Sequence, residues 1–157
     1  MKLKKLENIK ILVYGDGDCL NELRANAKEK GLNNIFFKGR VEKKFIPSIL
    51  SRSSINIMDF FYHKIFDYGV SPNKLFDYLA SGKPILAVRT NYDLIERFDC
   101  GLISDTLEPR EISRLIEEFT KMDSETYERM AKNALLAANS FDFKNLTNEL
   151  VKIMQNG

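Results

Sequence analysis

Short apolar runs alternate with amphipathic ones along nearly the whole chain, and that alternation constrains the fold more than any other feature. The runs Ile9–Tyr14, Asn34–Lys38, Ser54–Met58, Ile85–Val88 and Leu102–Ser104 have the length of strands. Helical spacing of apolar residues marks the segments near Asp18–Lys30, Glu42–Ser51, Pro72–Ser81 and Tyr92–Phe98, and three more follow at Glu108–Met122, Ser124–Asn139 and Phe143–Met154. Strand-sized runs buried on both faces and separated by amphipathic helices predict a parallel sheet with helices on both sides, an α/β, Rossmann-like architecture. In the closing helices Leu115, Ile116 and Phe119, then Tyr127, Met130 and Ala131, are spaced as packing stripes. No internal repeat, low-complexity segment or interdomain linker interrupts the pattern, so residues 1–157 are expected to form a single domain.

Composition narrows the class further. Apolar residues make up 44% and charged residues 29% of the chain, which indicates neither disorder nor a membrane span. The start, Met1-Lys-Leu-Lys-Lys5, is not followed by the apolar core of a signal peptide, and a cytoplasmic location is expected. With 24 basic and 22 acidic side chains the formal charge of +2 offers no argument for nucleic acid. Lys43, Lys44 and the amino-terminal lysines read as solvated faces that allow a weak attraction to anionic lipid at the inner side of a membrane. Cys19 and Cys100 lack metal spacing and are expected as free thiols.

The segment with the most chemistry is Gly69-Val-Ser-Pro-Asn-Lys-Leu-Phe-Asp-Tyr-Leu-Ala-Ser-Gly-Lys-Pro84. Pro72 suits the first helical position and Ser71 can cap the amides behind it. Leu75, Phe76, Leu79 and Ala80 are expected on one face, and Lys74, Asp77, Tyr78 and Ser81 on the other. Gly82 ends the helix and Pro84 opens the next strand. Lys74 is the unusual choice, because a cation in the first turn opposes the helix macrodipole by roughly 0.3–1 kcal/mol. A bound anion would offset that penalty. Pairing with Asp77 at i,i+3, or simple solvation, would also account for it.

Taken with its surroundings, this segment resembles the carboxy-terminal, nucleotide-sugar-binding half of a family 4 glycosyltransferase of the GT-B fold. The resemblance rests on Ile11-Leu-Val-Tyr-Gly15-Asp-Gly17, on Phe37-Lys-Gly39-Arg-Val41, on the helix above, and on Cys100-Gly-Leu-Ile103, in that order over about residues 9 to 145. Its Ser71-Pro-Asn-Lys-Leu-Phe-Asp-Tyr78 wording is similar to the subgroup that builds bacterial surface polysaccharides. The resemblance implies a donor on UDP or GDP, an amino-terminal acceptor-binding domain as partner, no metal or other cofactor, and retention at the transferred sugar. The family also has an earlier strand and a Gly-Arg loop with a lysine soon after. Nothing before Ile9 resembles them, so the sheet is expected to lack its first, central strand.

Roles carry over position by position. Gly15 and Gly17 would let the backbone approach the donor, or serve as an ordinary strand-to-helix turn. A dinucleotide fingerprint is disfavoured, because its third glycine would fall at Leu20. Gly39, Arg40 and Val41 would hold the nucleobase, with a solvated surface charge as the other reading of Arg40. Asp77 stands where the family's second acid of Glu-x7-Glu accepts the ribose hydroxyls. Gly69 stands where the first acid belongs, with Asp67 as a substitute only through a loop shift. Ser71, Asn73 and Lys74 would face the diphosphate. Asp16 and Asp18 have Asp-x-Asp spacing but sit in the glycine turn, where the family uses backbone contacts. The aromatic stretch Asp59-Phe-Phe-Tyr-His-Lys-Ile-Phe-Asp-Tyr68 would flank the sugar or cover the sheet edge, and its His63 reads as an exposed loop residue.

Three functions fit these residues. One is the donor half of a glycosyltransferase. Another is a non-catalytic nucleotide-binding or assembly module with the same fold, which the empty first-acid position favours. The third is a nucleotide-sugar epimerase of GT-B architecture, for which no His/Glu constellation is visible.

Overall fold

The computed structural model describes residues 8–59, 73–88 and 94–156. Parallel strands with helices on both sides confirm the α/β class. The chain divides into two compact units, Met1–Ile46 and Pro47–Gly157.

In the first unit β1 (Ile11–Tyr14) and β2 (Ile35–Gly39) run parallel, joined by α1 (Leu20–Glu29). Their register is Ile11 to Ile35 through Val13 to Phe37, then slips so that Tyr14 faces Gly39. Helix α1 stops at a glycine in the left-handed region, Gly31 at φ 63°. There Gly31 N–H donates to Lys28 O at 3.1 Å and Leu32 N–H to Ala27 O at 2.9 Å, the paired bonds of a Schellman ending. The predicted helix Glu42–Ser51 is instead a 3-10 turn, Lys43–Phe45, followed by the short α2 (Ile46–Leu50). Pro47 explains the break, since it has no N–H to continue a ladder begun upstream and fits only a first turn.

The second unit holds β3 (Asn56–Asp59), α3 (Asn73–Ala80), β4 (Ile85–Val88), α4 (Leu94–Arg97) and β5 (Gly101–Ser104). It closes with α5 (Pro109–Lys121), α6 (Ser124–Ser140) and α7 (Phe143–Asn156). The strands form a parallel sheet in the order β3-β4-β5. All four residues of β4 are buried, as a central strand covered on both faces requires. Met58, Leu75, Leu79, Ile85, Ala87, Ile95, Cys100, Ala134 and Ala137 make one core. Phe76, Phe98 and Phe141 pack at its edge, the ring centroids of Phe76 and Phe141 lying 5.5 Å apart.

The described strands pair as β1-β2 in the first unit and β3-β4-β5 in the second. Apolar alternation specifies that a segment is a strand, whereas pairing depends on which edges meet, which period-2 patterning does not encode.

At the α4–β5 corner Asp99 takes φ 49°, an uncommon angle for a non-glycine residue. Asn133 Nδ2 donates to Asp99 O at 3.1 Å and Arg129 forms an ion pair with the Asp99 carboxylate, so α6 holds this corner from outside. Next to it Cys100 is fully buried, and burial pushes its thiol up to about 11. The stripes expected in α5 and α6 face inward at Leu115, Ile116 and Met130. Helix α7 buries no residue, leaving Phe143, Ile153 and Met154 exposed.

Candidate functional site

Two groups of expected residues have a defined geometry, one in each unit. The first lies at the carboxyl end of β1 and β2. Gly15 N–H donates to Gly39 O at 2.8 Å, which draws the two strand ends together just past the register slip. Gly15 has φ 139° and Gly39 φ 72°, conformations that side chains rarely adopt. A Cβ added at Gly15, Gly17 or Gly39 would meet no heavy atom within 4 Å, so packing does not demand glycine there and the flank stands open. Arg40 reaches back to Asp16 at 3.9 Å with both side chains largely exposed, a contact too long and too wet to immobilise the guanidinium. Gly15, Gly17, Gly39 and Arg40 thus gather at the strand ends, where open α/β sheets bind ligands. Val41 is half-buried beside them in sequence. No cluster of three or more metal-ligating side chains occurs among the described residues.

The second group is the exposed side of α3. Leu75 and Leu79 are completely buried and fix which way the helix faces, and Asn73, Lys74 and Asp77 point to solvent. Two residues exchange places relative to expectation. Tyr78 is half-buried against the core, and burial, with the Asp77 charge adding to it, pushes its phenol up. Ala80 is exposed. At 3.6 residues per turn Tyr78 flanks the Leu75–Leu79 stripe, whereas Ala80 has rotated past it. Neither Lys74 nor Asp77 makes an ion pair among the described residues, so the i,i+3 pairing does not form. Among the described residues Lys74 therefore stands in the first turn of α3 without a carboxylate partner. Ser71, Pro72, Gly69, Asp67 and His63 lie outside the described residues.

Helix α3 ends as expected at Gly82, with φ 63° and its N–H on Leu79 O at 3.1 Å. A polar link unforeseen from the pattern ties this last turn to β3. Asn56, only 5% exposed, donates from Nδ2 to Ser81 Oγ at 2.9 Å. The available signal was an amide at an inward position of a strand that otherwise buries Met58.

At the carboxyl end of β5 an open hollow of about 510 Å³ is lined by Ile103, Asp105, Thr106, Glu108, Arg110, Glu111 and Arg114. It contains none of the anticipated residues. Arg114 is already bound to Glu111 at 2.8 and 3.0 Å and to Glu118 at 2.8 Å. Its hydrogen bonds hold the Glu111 carboxyl below the usual range. Among the described residues no helix is long and apolar enough to cross a membrane.

The folded chain is similar to part of much larger proteins of known structure. It matches Anabaena HepE in complex with UDP-glucose at a TM-score of 0.75 with 19% identity, over 96% of this chain and 42% of that one. The HepE complex with UDP gives a TM-score of 0.74 with 18% identity, over 96% and 42%. WaaG, a glycosyltransferase involved in lipopolysaccharide biosynthesis, matches at 0.68 with 16% identity, over 100% and 41%. The chain thus spans about two fifths of the length of these structures. No curated protein sequence matches it. The sequence model for glycosyl transferases group 1 matches residues 1–136. With that match covering most of its length, and with its strand-end glycines and α3 set in a GT-B-like fold, the chain belongs to the glycosyl transferases group 1 family.

Proposed function

We propose that this chain is the donor-binding domain, residues 1–157, of a family 4 glycosyltransferase that builds a bacterial surface polysaccharide. The observation that carries this reading is Lys74, a first-turn cation with no carboxylate partner among the described residues and with Asp77 one turn along the same exposed side. A nucleoside diphosphate satisfies both groups. Its phosphates take the ammonium and the amino end of α3, and its ribose hydroxyls donate to the Asp77 carboxylate. Ser71 and Asn73 complete the phosphate side. Gly15 and Gly17 give the donor close access to backbone, and Gly39, Arg40 and Val41 take the base.

The chemistry is electrostatic. When the glycosidic bond to phosphate breaks, negative charge grows on the departing diphosphate, and Lys74 with the amides at the start of α3 would take it up. No covalent intermediate on this chain and no metal are needed for that stabilisation. UDP is the favoured nucleotide, because HepE, similar in fold, is known in complex with UDP and UDP-glucose. GDP is the other candidate. The acceptor and the groups nearest the transferred sugar belong to an amino-terminal domain, and the reaction takes place in the cytoplasm at the inner face of the membrane. A non-catalytic nucleotide-binding module is the second reading, favoured by glycine at position 69 where the family's first acid stands. Titration of the parent, Lys74→Ala and Asp77→Ala with UDP tests the site. Weaker binding by both variants with unchanged melting supports it, and parent-like binding by both removes it.

A further inference from the structure

Asn56 and Ser104 are the buried polar residues of the described core, and Asn56 is the one that connects two elements by its side chain. It opens β3 at an inward position, where its backbone N–H donates to Pro84 O at 3.1 Å. Its Nδ2 donates to Ser81 Oγ at 2.9 Å, and Ser81 Oγ in turn donates to Tyr78 O at 2.5 Å. On the other side Ser53 Oγ lies 2.8 Å from Asn56 Oδ1 and 2.7 Å from Leu50 O, sharing its single proton between two acceptors. Ser81 N–H also donates to Asp77 O and Tyr78 O, both at 3.1 Å. The chain of bonds therefore runs from Leu50 through Ser53, Asn56 and Ser81 to the backbone of the turn that carries Asp77.

Apolar burial of an eight-residue helix such as α3 is non-directional and does not by itself define its register. Leu75 and Leu79 bury the helix without directional bonds, and Phe76 and Tyr78 add further apolar packing on the core. A buried amide is a poor choice for stability at this place, since an apolar pair of similar shape is often as good. Its advantage is geometric: one directed hydrogen bond from Asn56, relayed by Ser81 Oγ to Tyr78 O, indexes the helix against β3.

We infer that Asn56, acting through Ser81, is a positioning residue that sets α3 on β3 so that Asp77 and Lys74 meet the nucleoside diphosphate. The inference rests on the placement of ribose and phosphate at Asp77 and Lys74. Asn56 itself touches no ligand, so its effect must pass through those groups.

The test is a double-mutant cycle on UDP affinity, measured by calorimetry with parent, Asn56→Ala, Asp77→Ala and the double variant, each checked by thermal melting. Asn56→Ala is expected to weaken UDP binding roughly three- to tenfold, and to do so much less in the Asp77→Ala background, because groups acting through one another are non-additive. Ser81→Ala removes the same bond from the helix side and is expected to reproduce the loss, which keeps the test open if Asn56→Ala does not fold. A role in stability alone would lower the melting temperature and leave the affinity of the folded molecules unchanged. That result, or full additivity with Asp77→Ala, overturns the inference while leaving the nucleotide site standing. If Asp77→Ala binds UDP like the parent, the placement of the ribose fails, and the inference fails with it.

Discussion

Replacing Gly101 by alanine should unfold part of the β4–β5 ladder, and the structure gives the size of the conflict. A Cβ at Gly101 would lie 1.9 Å from Ile85 O, 2.8 Å from Ile85 C and 2.9 Å from Ile85 N. All three are backbone atoms of a fully buried strand residue, so no side chain can rotate away. Ordinary contact begins near 3.4 Å, and the two strands would have to part by about 1.5 Å. Ile85 and Gly101 are register partners, and Ile85 N–H donates to Cys100 O at 3.1 Å, a bond that does not survive such a shift. Overpacking of a tight core costs about 1–3 kcal/mol. One or two lost hydrogen bonds add about 0.5–1.5 kcal/mol each. A total of about 1.5–6 kcal/mol corresponds to a fall in melting temperature of roughly 3–24 °C for a chain of this size. Thermal melting by circular dichroism, parent beside Gly101→Ala, measures it directly. A variant melting within a degree of the parent would refute the close approach of β5 to β4 on which the core description depends.

Gly17→Ala is the converse case: with nothing within 4 Å of the new Cβ it should keep or raise stability by about 0.4–1 kcal/mol. If the donor approaches that turn, the same variant loses UDP affinity several-fold in a titration, and unchanged affinity would separate Gly17 from the site. Lys74→Ala and Asp77→Ala, both on the exposed side of α3, should each weaken UDP binding roughly ten- to a hundredfold, as loss of a charged hydrogen bond does, with melting unchanged. One thiol of the two should react with a disulfide reagent at pH 8 in the native chain, at exposed Cys19. Cys100, buried and with its thiol pushed up to about 11, should react only after denaturation, which counting of released thiolate will show. Asp123 caps α6, and the N–H and hydroxyl of Thr126 hold its carboxyl below the usual range. Its contribution to stability is therefore present above the unfolded carboxyl value and is lost as pH falls through the folded one. Melting curves taken through that acidic interval should be less pH-dependent for Asp123→Asn than for the parent.

Strand and helix identities were legible because their signals are local. Ile85–Val88 is bounded as the apolar run predicts, and α6 and α7 begin at the anticipated Ser124 and Phe143. Gly82 could be read as a helix stop because φ 63° is a demand on one residue alone. What escaped the sequence is what depends on elements far apart in it. The pairing of β1 with β2, and of β4 with β3 and β5, is a matter of edges, and period-2 alternation is silent on edges. Tyr78 and Ala80 exchanged places because hydropathy ranks the phenol as polar, whereas its ring flanks the buried stripe and packs on the core. Asn56 is separated from Ser81 by 25 residues, and only the fold reveals that the two bond. Gly101 read as part of a familiar Cys-Gly-Leu wording, and its physical reason, the backbone of Ile85, emerges only in the assembled sheet. Of the nine residues expected to bind donor, the glycines, Arg40, Lys74 and Asp77 stand exposed or on open flanks at strand and helix ends. Ser71 lies outside the described residues.

The most direct test of the account is calorimetric titration of the purified, folded chain with UDP, GDP and their common sugar conjugates. The donor-site reading predicts saturable binding of one nucleoside diphosphate, UDP first, with the loss of the Lys74 or Asp77 side chain weakening it. Absence of heat with every one of them, from a chain whose melting shows it to be folded, would contradict that reading and leave the assembly-module function in its place.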